Sequence, residues 1–244
     1  MCKSDLAQKE EGDMDWILDQ SLVDLGIETV VIGVAKQVDP QAPLSATFLA
    51  KKKEMEAWAL NCDLSSVKEE AVVQGYIDLL KEVGRSVKKN PPTILALIKN
   101  IQSRGFLPTI NSVIDIYNVE CLRSFLAIGG HDLDKIQGPI EFTISQREDT
   151  FLPILSTEKH VSETDPVYRD QQGIMAWLDV RDGERYKMEE TTRNALFIIQ
   201  GNRATSVEMR LEALDRIRED LSSCMPDLEF EKYLVTPSET ILVP

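Results

Sequence analysis

The sequence predicts a single α+β (mixed α/β) domain, helical in its first half and strand-rich in its second. Three observations predict it. Apolar residues recur at helical spacing among Lys and Glu through the first half. From Gly138 onward the pattern changes to period two. No internal repeat, low-complexity tract or linker divides the 244 residues.

Residues 1–20 are polar and expected to fray, leaving 21–244 as the folded unit. Leu25–Ala35 is rich in β-branched residues and ends near Pro40, as a buried strand does. Thr47–Ala59 carries Phe48, Leu49, Met55 and Trp58 at rough helical spacing. Ser66 followed by Glu69 reads as a capping box. Tyr76–Val83 reads as a helix closed by Gly84, and Ile94–Ser103 as one opened by Pro91-Pro92 and ended at Gly105. Asn111–Leu126 fits one or two helical segments, stopped by Gly129-Gly130. Strands are expected within Gly138–Ile154, at Val167–Tyr168, Gly173–Val180 and Ala195–Ile199. Ser206–Met225 is an amphipathic helix with the apolar stripe Val207, Leu211, Leu214, Ile217 and Leu221. Leu228–Val243 supplies one or two edge strands.

Composition narrows the function classes. The chain is 43% hydrophobic and 28% charged, enough to bury a core. No apolar run spans a bilayer and no signal-peptide core follows the N-terminus, so a cytoplasmic protein without a membrane partner is expected. Cys2, Cys62, Cys121 and Cys224 are scattered and only His131 and His160 could join them, so neither metal nor cofactor is expected. A net charge of −14 opposes tight non-specific nucleic-acid binding. DNA is therefore not an expected partner, and an RNA partner would be held by a few placed Lys and Arg. Phosphate-loop, dinucleotide and nucleophile-elbow motifs are absent. Oligomeric state is not legible.

Two blocks carry a family resemblance. The first runs Gly105-Phe106-Leu107-Pro108-Thr109-Ile110-Asn111-Ser112-Val113-Ile114-Asp115-Ile116-Tyr117-Asn118, then Ile128-Gly129-Gly130-His131-Asp132-Leu133-Asp134-Lys135-Ile136-Gln137-Gly138. The second is Gly173-Ile174-Met175-Ala176-Trp177, Arg181-Asp182-Gly183-Glu184-Arg185 and Glu189-Glu190-Thr191-Thr192-Arg193-Asn194. Together they resemble the B3/B4 (editing) module of the phenylalanyl-tRNA synthetase β subunit, in its free-standing form, with a motif core over 70–201. The resemblance implies a mixed sheet flanked by helices and a tRNA or aminoacyl-tRNA partner. It implies either a trans-acting hydrolase that clears mischarged tRNA or an RNA-binding module. A non-catalytic module for an amino-acid-like ligand or a protein partner is the alternative; aminoacylation by this chain is not expected.

Carried over by position, Asn118 and His131 are the catalytic candidates. Asn111, Tyr117, Gly173, Trp177, Arg181 and Arg185 are the substrate-binding ones. An Asn amide can orient water or a carbonyl, or it can bridge secondary structure. Gly129 stands where the synthetase has a His, and His131 either substitutes in part or is a polar turn residue. Arg181 and Arg185 either grip a phosphate or carboxylate, or pair with Asp182 and Glu184 at the surface. The synthetase's tyrosine-reading acid has no counterpart in Phe197-Ile198-Ile199. Asp115, Asp134, Glu189 and Glu190 read as structural.

Overall fold

The computed structural model describes residues 14–244. In chain order the strands are β1 (Trp16–Leu18), β2 (Val30–Lys36), β3 (Gly129–Asp132), β4 (Ile140–Ile144), β5 (Thr150–Phe151), β6 (Lys159–His160), β7 (Pro166–Asp170), β8 (Gly173–Trp177), β9 (Arg181–Asp182), β10 (Asn194–Ile199), β11 (Glu229–Val235) and β12 (Thr240–Val243). The helices are α1 (Gln20–Asp24), α2 (Ala46–Asn61), α3 (Leu64–Glu69), α4 (Ala71–Glu82), α5 (Thr93–Arg104), α6 (Ser112–Ser124) and α7 (Val207–Cys224).

The expected α+β architecture is present. One antiparallel sheet has the order β12-β11-β2-β10-β3, and a mixed sheet has the order β1-β4-β7-β8-β9, with β1 parallel to β4. The central strands β2 and β10 are apolar on both faces, and the pleat sends alternate residues to opposite sides. Val31, Ala35, Ala195, Phe197 and Ile199 pack into a core shared with α2 and α4–α7. Val30, Ile32, Val34, Leu196 and Ile198 pack into a second core with the mixed sheet. The antiparallel sheet therefore separates two cores, one against helices and one against strands.

Several boundaries moved, each for a local reason. Of the N-terminal stretch expected to fray, residues 1–13 lie outside the described residues, while Trp16–Leu18 pair with Ile140–Phe142 as β1. The strand expected from Leu25 begins at Val30, because Leu25 caps α1 and Gly26 turns the chain with φ +84. Asp63, rather than Ser66, caps α3 by accepting from Ser65 N. Asn111–Leu126 is one helix, ended by Phe125 in the left-handed conformation. Gly129-Gly130 is consequently not a helix stop but the start of β3. The strand from Gly173 ends at Trp177. Beyond it, β11 sits inside its sheet between β12 and β2, so only β12 is an edge strand.

Candidate functional site

Strand β3 carries His131 into the space between the two sheets. The ring is fully buried, its Nε2 shares a 2.7 Å hydrogen bond with the Tyr168 hydroxyl on β7, and its Nδ1 has no partner. Burial pushes the imidazole down to about 3, so it is neutral at physiological pH. His131 is thus a buried strand residue, and the turn reading of it does not hold.

The two glycines before it make this packing possible. A Cβ on Gly129 would lie 2.1 Å from the Tyr168 hydroxyl oxygen. A Cβ on Gly130 would lie 2.7 Å from a ring carbon of Tyr117 on α6. The volume a side chain at 129 would need is therefore filled by the Tyr168 hydroxyl.

Two carboxylates complete the cluster. Asp182 on β9 places Oδ1 4.0 Å from His131 Nε2, and its Oδ2 accepts from Gly130 N at 3.5 Å. Leu178 and Asp179 both adopt left-handed backbone, with φ 58 and 52, which turns β8 into β9. Non-glycine residues there cost on the order of 1 kcal/mol each. The turn brings Asp179 close enough to Asp182 for their charges to repel. Asp179 Oδ2 is buried without a hydrogen-bond partner. Burial pushes each carboxyl up to about 7, and the neighbouring Asp182 adds to the effect on Asp179. No described Lys or Arg makes an ion pair with either. Asp182 is half-buried, its side chain keeping 23% of its surface.

Around the carboxylates stand weak acids that stay protonated. Burial, reinforced by Asp182, raises the hydroxyls of Tyr117 and Tyr168, and burial pushes the Cys121 thiol up to about 12. Tyr76 on α4 is raised by burial and by Asp179, and its hydroxyl oxygen accepts from Ala127 N.

The structure gathers some of the expected residues here and disperses others. Tyr117 and His131 join the cluster. Asn118 is half-buried on α6 and its amide makes no hydrogen bond to a described residue. Arg181 is half-buried beside Asp182 without an ion pair among the described residues. Asn111 caps α6 by accepting from Ile114 N, and Trp177 donates to Asp165 at 3.0 Å. Gly173 lies at the far end of β8, where φ +135 requires glycine. Arg185 is exposed at that same end and donates to the Gln172 side chain. The expected self-paired cluster of Arg181, Arg185, Asp182 and Glu184 does not form: Asp182 turns inward and Glu184 pairs with Lys187.

Sequence reasoning missed Tyr168, Asp179 and Asp182 as members of the site. The one available signal was Asp182-Gly183, where an acid precedes a glycine inside a block of alternating charge. Gly183 has room for no side chain without strain, since a Cβ would lie 3.0 Å from the Met175 carbonyl oxygen. Among the described residues no group of three or more His, Cys, Asp or Glu could hold a metal ion, and no helix is long and apolar enough to cross a membrane.

Comparison with known proteins places the chain. A family model described as "B3/4 domain" matches residues 76–225. The phenylalanine–tRNA ligase beta subunit of Mycoplasma pneumoniae is 27% identical over 112 residues, 46% of this chain and 13% of that protein. The phenylalanine–tRNA ligase beta subunit of Methanocorpusculum labreanum is 28% identical over 148 residues, 48% of this chain and 27% of its own length. The fold is similar to a crystal structure of an N-terminal fragment of the phenylalanyl-tRNA synthetase beta-subunit from Pyrococcus horikoshii, with a TM-score of 0.51 at 13% identity. That likeness covers 95% of this chain and 55% of the fragment, and it speaks for the fold alone.

Proposed function

Because this chain belongs to the B3/4 domain family, we propose that it is a tRNA-linked module that hydrolyses the ester of mischarged aminoacyl-tRNA in trans. One observation carries the reading. Asp182 is a half-buried carboxyl pushed up to about 7 by burial, set 4.0 Å from a neutral His131 that is tied to Tyr168. Ester hydrolysis needs a base that is half ionised at working pH and a donor aimed at the developing oxyanion. Asp182 takes the proton of the attacking water. The unengaged Asn118 amide supplies a donor to the carbonyl oxygen, while the Tyr168 hydroxyl holds His131 in place. Burial keeps Asp182 basic enough to act, against the lowering effect of the Gly130 N–H.

A second reading has its own observation. Phe197 is fully buried in β10, edge-on to Tyr117 and stacked on Phe230, so no acid there reads a tyrosine hydroxyl. This favours a pocket that binds an aminoacyl group without turning it over.

A deacylation assay with a panel of mischarged tRNAs decides between them. The hydrolase reading expects release above the uncatalysed rate, reduced at least about a hundredfold in Asp182→Asn and in Asn118→Ala. Binding at moderate salt without release leaves the binding module. Neither release nor binding sinks both.

A further inference from the structure

A second cleft lies away from the carboxylates, where the chain enters β2, leaves β10 and starts α7. It encloses about 390 Å³ and is lined among others by Glu28, Thr29, Gln200, Arg203, Ser206 and Arg210. Its floor is built around a buried cation. Arg210 is 4% exposed and no carboxylate stands within ion-pair distance of it among the described residues. Its Nε donates to Ser206 O, its Nη1 to Thr29 O and Gln200 O, and its Nη2 to Thr29 Oγ1. A guanidinium has five N–H groups, so these four bonds leave one on Nη2. Buried cations are ordinarily neutralised by an acid, because carbonyl oxygens orient the charge without cancelling it.

The second observation is independent of the arginine. Gln200 is 3% exposed, lines the same cleft, and its Nε2 has no acceptor. A buried amide donor left without an acceptor is destabilising unless something outside the chain accepts from it. The start of the eighteen-residue helix α7 adds a third donor. Ser206 Oγ takes Met209 N and Ser206 O takes Arg210 N, and the Glu208 carboxyl is held below its ordinary value by its own backbone N–H and the Ser206 hydroxyl. Val207 N–H stays free at the positive end of the helix. Glycine makes the close approach possible: a Cβ on Gly201, at φ +74, would lie 2.4 Å from Thr205 Oγ1 and 2.8 Å from Arg210 Cδ. Arg203 lies flat over Gly26 and pairs with Glu82, and Glu28 is exposed at the rim.

We propose that this cleft binds a phosphate group, received by the free N–H of Arg210, the Gln200 amide and the first turn of α7. The phosphate comes either from a small phosphate ester or from the backbone of an RNA, and the site stands whether or not the carboxylate cluster is catalytic.

The test is a titration of the whole chain with inorganic phosphate at constant ionic strength, followed by amide and guanidinium NMR. Saturable shifts at Gln200, Val207 and Arg210 Nε, absent with matched chloride, are the expected result. Gln200→Met keeps the size and apolar stem, so it folds, and should weaken phosphate about tenfold. Arg210→Lys, checked for folding by its spectrum, should weaken it further. With a tRNA transcript added, competition by phosphate and a matching loss in Gln200→Met assign the RNA backbone as source. Phosphate binding that leaves tRNA affinity unchanged assigns a small ester. Shifts that are absent, equal with chloride, or unaltered by Gln200→Met overturn the proposal.

Discussion

The two clefts are electrostatic opposites. At the turn between β8 and β9, Asp179 and Asp182 are half-buried without a cation among the described residues. At the start of α7, Arg210 is enclosed without a carboxylate. A third place shows what the same fold does when no ligand is involved. Lys52 and Asp115, 9% and 1% exposed, meet at 2.6 Å, and Asp115 also accepts from Ile110 N while Lys52 donates to Thr109. Where charge is needed only for architecture, it is paired and both carboxylate oxygens are hydrogen-bonded. Where it is left unpaired, it lines a cleft, as Arg210 does, or keeps part of its surface, as Asp182 does. The difference separates scaffold from site better than burial alone does.

Three measurements break or sharpen that contrast. The largest effect belongs to the paired charges: Lys52→Met strands Asp115 in the core and should cost about 3–5 kcal/mol by chemical denaturation. A loss under 1 kcal/mol would mean that this pair is no more structural than the open clusters.

Next is Gly129→Ala. The new methyl meets the Tyr168 hydroxyl, and the repacking should cost about 1–3 kcal/mol. It should also break the His131–Tyr168 bond, visible as a shift of the His131 ring signals. Unchanged ring signals would show that the glycine is not what admits Tyr168.

The smallest effect has the opposite sign. Asp182 titrates near 7 when folded and near 3.8 when unfolded, so between those values the folded chain binds the extra proton. Stability contributed by this group is present below about 4 and is lost as pH rises through 7. Asp182→Asn removes that loss, so it should stabilise the chain by about 1–2 kcal/mol at pH 8 and by almost nothing at pH 4. Equal effects at the two pH values would place Asp182 in an ordinary solvated setting.

Much of the fold was legible beforehand. The helices α2, α5, α6 and α7 follow from apolar spacing and from end signals such as Gly105, whose φ of +80 demands what the sequence supplies. One boundary error has a distant cause. A glycine pair reads as a stop in one dimension, yet Gly129 and Gly130 are there because Tyr168 and Tyr117, 39 and 13 residues away in the chain, need the room. The site was legible in part. Tyr117, Asn118, His131 and Arg181 came through a resemblance to a known module, and Asn111 and Trp177 turned out to be engaged in holding the scaffold.

By itself, then, the sequence determined the class of fold, the order of most elements and the family framework, because periodicity and end signals act over a few residues. Only the tertiary structure decided which charges lack a partner. That property depends on what is absent around Asp179, Asp182 and Arg210 in three dimensions, and no local pattern records an absence across the chain.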